Sequence, residues 1–287
     1  MGGDILLHAI TAVLYLGLGA HFWRTRWRDR TKVGALHSWE HSAILLPLAL
    51  HTWLLWAELF QSPVLHFGFG QALSVTLWLA VLIYWIENLF MNVQGMQAFV
   101  LPVAAICAFI PAIFPGPVTP AYTQHFAFRA HLMLAMAAYS LFTIAAMHAL
   151  LMAFLERTLH GDSPVSGRAG DRSKAALTHG VLAGMPPLLT LETLLFRILG
   201  VGFVLLTLTL ASGVLFSEEL FQQPVQFTHK TVFAFVSWLI FGCLLAGRWL
   251  YGWRGRRALR WTVAGFATLL LAYVGTRFVL EVLLHRA

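Results

Sequence analysis

Charge and cysteine are scarce in this chain of 287 residues. Charged residues make up 11% of the composition and apolar residues 59%. A water-soluble domain carries about a quarter charged residues, so this balance excludes an ordinary soluble globule. The two cysteines, Cys107 and Cys243, form no Cys-x-x-Cys pair. This excludes a vicinal-thiol redox motif, and the absence of Cys-x-x-Cys-His excludes covalent haem attachment of the c type.

Common catalytic motifs are also missing from the sequence. There is no nucleophile elbow, no phosphate-binding loop and no His-Glu-x-x-His zinc motif. No two carboxylates are spaced to share one buried helix face. The sequence therefore predicts a protein that is not an enzyme.

What the chain has in abundance is long apolar runs. Runs of about 18 to 25 apolar residues indicate membrane-spanning helices, because the backbone amides must be bonded internally in lipid. We predict an all-α fold, a polytopic bundle of about eight transmembrane helices in a single integral membrane domain, 1–287. The predicted spans are 5–22, 43–60, 67–86, 96–114, 127–155, 194–216, 232–250 and 261–284.

The basic residues predict the orientation of this bundle. Three connections carry five each of the 19 Lys and Arg, and all three fall on one side if eight helices alternate. Cytoplasmic connections are enriched in Lys and Arg, so both termini are predicted to lie on the outer, periplasmic side of the inner membrane. The five-residue sets are Arg24, Arg26, Arg28, Arg30 and Lys32; Arg157, Arg168, Arg172, Lys174 and Arg197; and Arg248, Arg254, Arg256, Arg257 and Arg260.

The remaining hydrophilic segments fit this scheme. The first apolar run lacks a basic n-region, so it is predicted to stay as a span rather than to be a cleaved signal peptide. Residues 156–184 are rich in Gly, Ser and charge and are predicted to form a cytoplasmic linker. The excess positive charge is explained by topology and lipid headgroups, so no nucleic-acid partner is predicted.

Among the 13 histidines, His51 and His131 stand out, because His51 lies well inside its predicted span and His131 lies a few residues below the outer end of its span. An imidazole in hydrocarbon is costly unless it meets a cavity, a partner or a ligand, and neutral imidazole is a common ligand of haem iron. The alternative is that each ring bonds a backbone carbonyl or a hydroxyl across a helix interface. Their depths differ, roughly 13 Å and 5 Å below the outer end. Sharing one iron therefore requires a tilt or a kink, which Pro47 can supply.

Arg277 in the last span is the other costly side chain. A guanidinium at this depth suits an anion such as a haem propionate. Glu281 lies four residues further on the same face, so an intrahelical ion pair is the alternative.

Several stretches taken together resemble the YpjD/HemX-like branch of the cytochrome c assembly superfamily, to which CcsA and CcmC also belong. They are 131–139 (HLMLAMAAY), 185–192 (MPPLLTLE), 203–213 (FVLLTLTLASG), 238–240 (WLI), 252–257 (GWRGRR) and 272–277 (AYVGTR). The similar region extends over 37–285. The resemblance implies non-covalent handling of haem b, with His51 in the position of an embedded histidine, His131 in that of the first external histidine, and His285 near the second.

This sequence also departs from the better-known members. Its outer loop, 217–230, contains no tryptophan, so the tryptophan-rich signature that presents haem is missing. Ala246 stands where another embedded histidine is expected. His229 in the outer loop is the remaining histidine that can contribute there.

We therefore expect an inner-membrane haem-binding protein that assists cytochrome c maturation or haem supply, with lipid, haem and another maturation protein as partners. The predicted cofactor-binding residues are His51, His131, His229, His285 and Arg277, with His51 and His131 as iron ligands. The alternative is a regulatory or structural subunit of an ion or metal transport complex that does not bind haem. A b-type electron carrier with two haems is a third interpretation, which the unequal depths of the histidines disfavour.

Overall fold

The structure, a computed structural model, describes residues 2–28, 38–61, 66–91, 95–119, 126–161, 187–221 and 229–284. Within these ranges all regular elements are helical, apart from an isolated bridge between His66 and Val118. Seven helical segments are long and apolar enough to cross a membrane. The predicted all-α, polytopic bundle is confirmed.

The helices follow the predicted spans closely. We label them α1 (Gly2–Phe22), α2 (Ser38–Ala43), α3 (Leu45–Trp56), α4 (Phe69–Phe90), α5 (Gln97–Ile113), α6 (Phe126–Gly161), α7 (Leu188–Phe221), α8 (His229–Tyr251) and α9 (Gly255–Leu270). Turns of π-helix extend α1 over Trp23–Arg28 and α3 over Ala57–Gln61. The last helix continues beyond α9 through Leu271–Gly275, Thr276–Phe278 and Val279–Leu283.

The fourth predicted span corresponds to α5, an apolar helix that is shorter than the seven membrane-length segments. α5 has 17 residues and contains Pro102 and Pro111. At 1.5 Å per residue it is about 25 Å long, the lower limit for a membrane span. It packs mainly against α1 and α4. Gly19 of α1 is what allows the close approach, because a Cβ there would lie 2.9 Å from the ring of Pro102.

The second predicted span is divided into α2 and α3. The break falls at Ile44, three residues before Pro47. Pro47 has no N–H to donate to the carbonyl of residue 43, and its ring crowds the same turn, so the helix is interrupted there. Ile44 itself keeps helical backbone angles, and Trp39–Leu59 remains one membrane-length helical segment.

The bundle has two halves that meet along α4 and α6. α1, α3, α4 and α5 pack together, while α6 packs against α7 and α9. Phe142 and Phe241 stack at 3.9 Å between ring centroids in the second half. Tyr139 donates a hydrogen bond of 2.7 Å to the Leu269 carbonyl, joining α6 to α9.

One end of the bundle carries the arginine-rich connections, and we call it the basic end. Buried carboxylates pair with part of its charge: Arg26 with Glu40 at 2.5 Å and Arg248 with Glu192 at 2.6 Å. The opposite end, here called the terminal end, holds the start of α1 and the end of the last helix. α6 runs to Gly161, so the first residues of the predicted linker are helical, and 162–186 lie outside the described residues.

Candidate functional site

His51 is buried in the first half of the bundle, between α1 and α4. Its Nε2 is 2.8 Å from the Ser74 hydroxyl, and its Nδ1 is 3.4 Å from the Tyr15 hydroxyl. The side chain has no solvent exposure. Both ring nitrogens are thus engaged by hydroxyl groups on neighbouring helices, which is the packing arrangement considered from the sequence. In this conformation iron could approach His51 only if one of these bonds were broken.

His131 lies near the terminal end of α6 and faces α7. Its Nδ1 is 2.9 Å from the Ser212 hydroxyl, and that hydroxyl donates its only proton to the Thr209 carbonyl at 3.0 Å. With the Ser212 proton on the Thr209 carbonyl, Nδ1 donates to the Ser212 oxygen and Nε2 keeps its lone pair. Nε2 has no hydrogen-bond partner among the described residues, and the ring is half-buried. A ligating histidine has this tautomer, with the second nitrogen held by a hydrogen bond.

The two histidines occupy separate environments because α4 stands between them. Ser74 of α4 faces His51, whereas Ala72 and Thr76, about 200° around the same helix, face α6. The α6 side of α4 contributes to a small apolar group at the terminal end, which we call the terminal cluster. It consists of Phe67, Ala72 and Met136, with Leu59, Val75, Leu132, Ala135 and Tyr273 packed around them.

Arg277 lies beside this cluster on the last helix. Its Nη1 is 3.7 Å from Oε1 of Glu281, so the intrahelical pair considered from the sequence is present. Oε2 of Glu281 also accepts a hydrogen bond of 3.4 Å from the backbone N–H of Phe69. Nε of Arg277 is buried and has no hydrogen-bond partner within the part of the chain that the structure describes. The guanidinium therefore keeps donor capacity that Glu281 does not use.

A second cation, which the sequence reasoning missed, lies close to Arg277. Lys230 of α8 is 5.8 Å from the centroid of the Tyr273 ring, and the Arg277 guanidinium is 6.0 Å from the same centroid. Two cations thus meet one carboxylate, Glu281, at this point. Their shared contact is an aromatic ring of the terminal cluster, so the excess positive charge adjoins an apolar surface next to α6. The sequence signal was the lysine directly after His229.

The other two predicted residues contribute less to the described site. His229 is the first residue of α8 and is exposed, adjacent in sequence to Lys230. His285 lies outside the described residues. The structure therefore brings His131, Arg277 and the start of α8 towards one end of the second half of the bundle, and keeps His51 on the other side of α4.

His8 is a buried histidine that sequence reasoning assigned only to the outer face. Its Nδ1 is 2.7 Å from the Ala108 carbonyl, and its Nε2 is 2.9 Å from Oε1 of Glu58. Since both nitrogens face acceptors, one proton must be shared between His8 and Glu58. The available signal was a helical stripe of polar residues, His8, Thr11 and Tyr15, all of them buried on α1.

The described residues include no group of three or more His, Cys, Asp or Glu able to hold a bare metal ion. A porphyrin needs less from the protein, namely one axial ligand, apolar contacts and cations for its carboxylates. His131, the terminal cluster and the pair Arg277 and Lys230 are residues of these three kinds, and they would make such contacts with a bound porphyrin. The residues at the terminal end of the second half therefore fit haem better than an isolated metal ion.

The proteins to which this chain is similar include an inner membrane protein and a cytochrome c biogenesis protein. The inner membrane protein YpjD of Escherichia coli K12 is 35% identical over 153 residues, 53% of this chain and 52% of YpjD. The cytochrome c biogenesis protein CcsA of Prochlorococcus marinus MIT 9515 is 39% identical over 88 residues, 31% of this chain and 28% of CcsA. The match thus spans about half the length of YpjD and less of CcsA. No solved structure is significantly similar.

The match to a protein family covers far more of the chain than either relative does. The family described as "Cytochrome C assembly protein" matches residues 36–284, which include every helix from α2 onward. Together with the apolar helices and the inner-membrane relative, this places the chain among polytopic inner-membrane proteins. The chain belongs to the cytochrome c assembly protein family.

Proposed function

We propose that this protein binds haem b non-covalently at the terminal end of its second half and assists cytochrome c maturation or haem supply. The observation that carries the proposal is the state of His131. Its Nδ1 donates to Ser212, its Nε2 lone pair is without a partner among the described residues, and its ring is half-buried. His131 is the predicted iron ligand that is free to ligate without breaking an existing hydrogen bond.

The surroundings of His131 suit the rest of the porphyrin. Arg277 and Lys230 would pair with propionates, and the terminal cluster would contact the apolar faces of the ring. Haem is the group that maturation would deliver, and the protein's residues would bind and orient it. His51, held by Tyr15 and Ser74, would act on this side of the membrane only after a rearrangement of α3 or α4.

An absorption spectrum of the purified protein tests this proposal. The full chain is expressed with added haem and purified in mild detergent. We expect a Soret band for the wild type and loss of most of it for His131→Ala, because the axial ligand is removed. His66→Gln is the matched control, since His66 is an exposed histidine at the same end of the bundle that is outside the proposed site.

A colourless wild-type protein would contradict the proposal and favour the alternative, a regulatory or structural subunit of a transport complex. One observation favours that alternative: both ring nitrogens of His51 are already bonded within the bundle. An equal loss of absorbance in His66→Gln and His131→Ala would show that haem binds adventitiously to surface histidines.

A further inference from the structure

Two ionisable side chains, Glu87 of α4 and His148 of α6, meet inside the bundle near the basic end, away from His131. Oε2 of Glu87 lies 3.9 Å from Nε2 of His148, and the side chains are 12% and 1% exposed. Towards the terminal end Thr76 of α4 contacts Met136 of α6, so the two helices run side by side between these contacts. The pair of Glu87 and His148 therefore lies where the two halves of the bundle meet.

The two atoms that face each other have no hydrogen bond. Oε2 of Glu87 and Nε2 of His148 are buried without a partner among the described residues, as are both amide atoms of the adjacent Asn88. Nδ1 of His148 faces the Ile144 carbonyl at 3.0 Å, which can only accept, so Nδ1 carries a proton. Nε2 thus presents a lone pair or, in the imidazolium, an N–H. Buried polar atoms without partners are costly, so these atoms point to a small polar ligand between them.

Burial limits the number of protons that this pair can hold. With none, an ionised carboxylate faces a lone pair, and its negative charge is unpaired inside the bundle. With two, a positive charge is unpaired. With one, on either the carboxyl group or the imidazole, the pair is neutral overall. Because an unpaired buried charge is costly, the state with one proton is favoured. A water molecule can link two polar groups across a separation of this size.

The charged groups around the pair do not replace this proton. Within the described residues Glu87 forms no ion pair with an arginine or a lysine. Arg26 is paired with Glu40. Glu192 is paired with Arg248. Tyr84, one turn before Glu87 on α4 and close to it, is uncharged near neutral pH. Arg197 of α7 is exposed and is not paired with Glu87. His148 is therefore the group with which Glu87 can share charge.

We infer that Glu87 and His148 form a proton-binding site that fastens α4 to α6, with one proton held between Oε2 and Nε2 through a bridging water at neutral pH. In an unfolded chain Glu has a pKa of about 4.3 and His of about 6.5, so above about pH 7 the two groups hold almost no proton there. The folded state then binds one proton more than the unfolded state. Its stability therefore falls as the pH rises, by about tenfold per pH unit in the unfolding equilibrium constant.

Thermal unfolding of the full chain in mild detergent, followed by tryptophan fluorescence between about pH 6 and pH 9, tests this site. Glu87→Gln keeps the shape of the side chain and removes the acid. Glu192→Gln is the matched control, because Glu192 is also buried at the basic end but its partner Arg248 does not titrate in this range. All variants share the remaining titrating groups, so differences between them report the substituted residue.

We expect the wild-type midpoint to fall as the pH rises above about 7, and the fall to be smaller in Glu87→Gln by the contribution of one proton. Glu192→Gln should unfold at a lower temperature throughout, with the pH dependence of the wild type. The double substitution Glu87→Met with His148→Leu replaces the pair by apolar side chains, so it should fold even where Glu87→Gln does not, and should show the same weakened pH dependence.

A pH dependence that is the same in the wild type, Glu87→Gln and the double variant would overturn the inference. Zn²⁺ is added as a probe in a parallel series, because a carboxylate and an imidazole are also metal ligands. A wild-type midpoint that rises with Zn²⁺ while that of Glu87→Gln does not would overturn the inference in favour of a metal site.

Discussion

At the scale of single residues, the buried histidines differ in what their second nitrogen meets. His51 has hydroxyl groups on both nitrogens, His8 has a carbonyl and a carboxylate, and His131 has one hydroxyl and a free lone pair. Depth along a span, which the sequence provides, does not distinguish these states. They depend on residues that are 23 to 100 positions away in the chain. The sequence therefore identified His131 as a candidate but could not separate it from His51.

Ser212 provides a test of the tautomer assigned to His131. Ser212→Ala removes the acceptor of Nδ1–H, so the ring is no longer held with Nε2 as the ligating nitrogen. Loss of such an outer partner typically reduces metal affinity by about 10- to 100-fold. We expect haemin affinity, measured by absorbance titration, to fall by roughly tenfold or more.

Ser74→Ala is the control for this prediction, because Ser74 makes the equivalent bond to His51. Haemin affinity should be nearly unchanged in that variant. If Ser74→Ala weakened haemin binding as much as Ser212→Ala, the separation of the two histidines into different environments would be wrong for the haem-bound protein.

At the scale of helices, hydropathy predicted the seven membrane-length helical segments and the shorter α5, but it made some spans too short. α6 and α7 extend beyond the predicted spans 127–155 and 194–216, to Gly161 and from Leu188. Hydropathy reports the thickness of the hydrocarbon, whereas a helix continues until its hydrogen bonding is interrupted. The division of the second span at Ile44 could be predicted from the sequence, because Pro47 lies three residues later and interrupts helical hydrogen bonding. The π-helical turns on either side of Arg277, at Leu271–Gly275 and Val279–Leu283, have no comparable signal in the sequence.

Because α1 packs closely against α5, alanine substitutions at two glycines of α1 should differ in their effect on stability. Gly19→Ala would place a Cβ 2.9 Å from the Pro102 ring, while a Cβ at Gly17 meets nothing within 4 Å. Overpacking of this kind costs about 1–3 kcal/mol. We expect Gly19→Ala to lower the thermal unfolding temperature in detergent and Gly17→Ala to leave it unchanged or slightly raised. Equal stability of the two variants would mean that α1 and α5 are not this close in the protein.

At the scale of the whole molecule, the distribution of charge leads to a proposal for orientation. The arginine-rich connections share the basic end, where Glu40 and Glu192 neutralise only part of their charge. We propose that this end faces the cytoplasm and that both termini face outward. Haem would then bind on the outer side.

Reporter fusions test this orientation. A reporter that is active only outside the cytoplasm, joined after Ala287, should be active, and the same reporter inserted within 162–186 should be inactive. The two fusions control for each other's expression. The reverse pattern would place the proposed haem site on the cytoplasmic side. It would also show that the end rich in Lys and Arg is not the cytoplasmic end of this chain.

The most direct measurement of the central claim is rescue of haem binding by free imidazole. His131→Gly removes the proposed axial ligand and leaves a space the size of its ring. In the purified variant we expect haemin binding and the Soret band of the ligated iron to be lost, and to return when imidazole is added. His66→Gly should bind haemin like the wild type, with or without imidazole. A Soret band that persists in His131→Gly, or that imidazole fails to restore, would show that His131 does not ligate the iron.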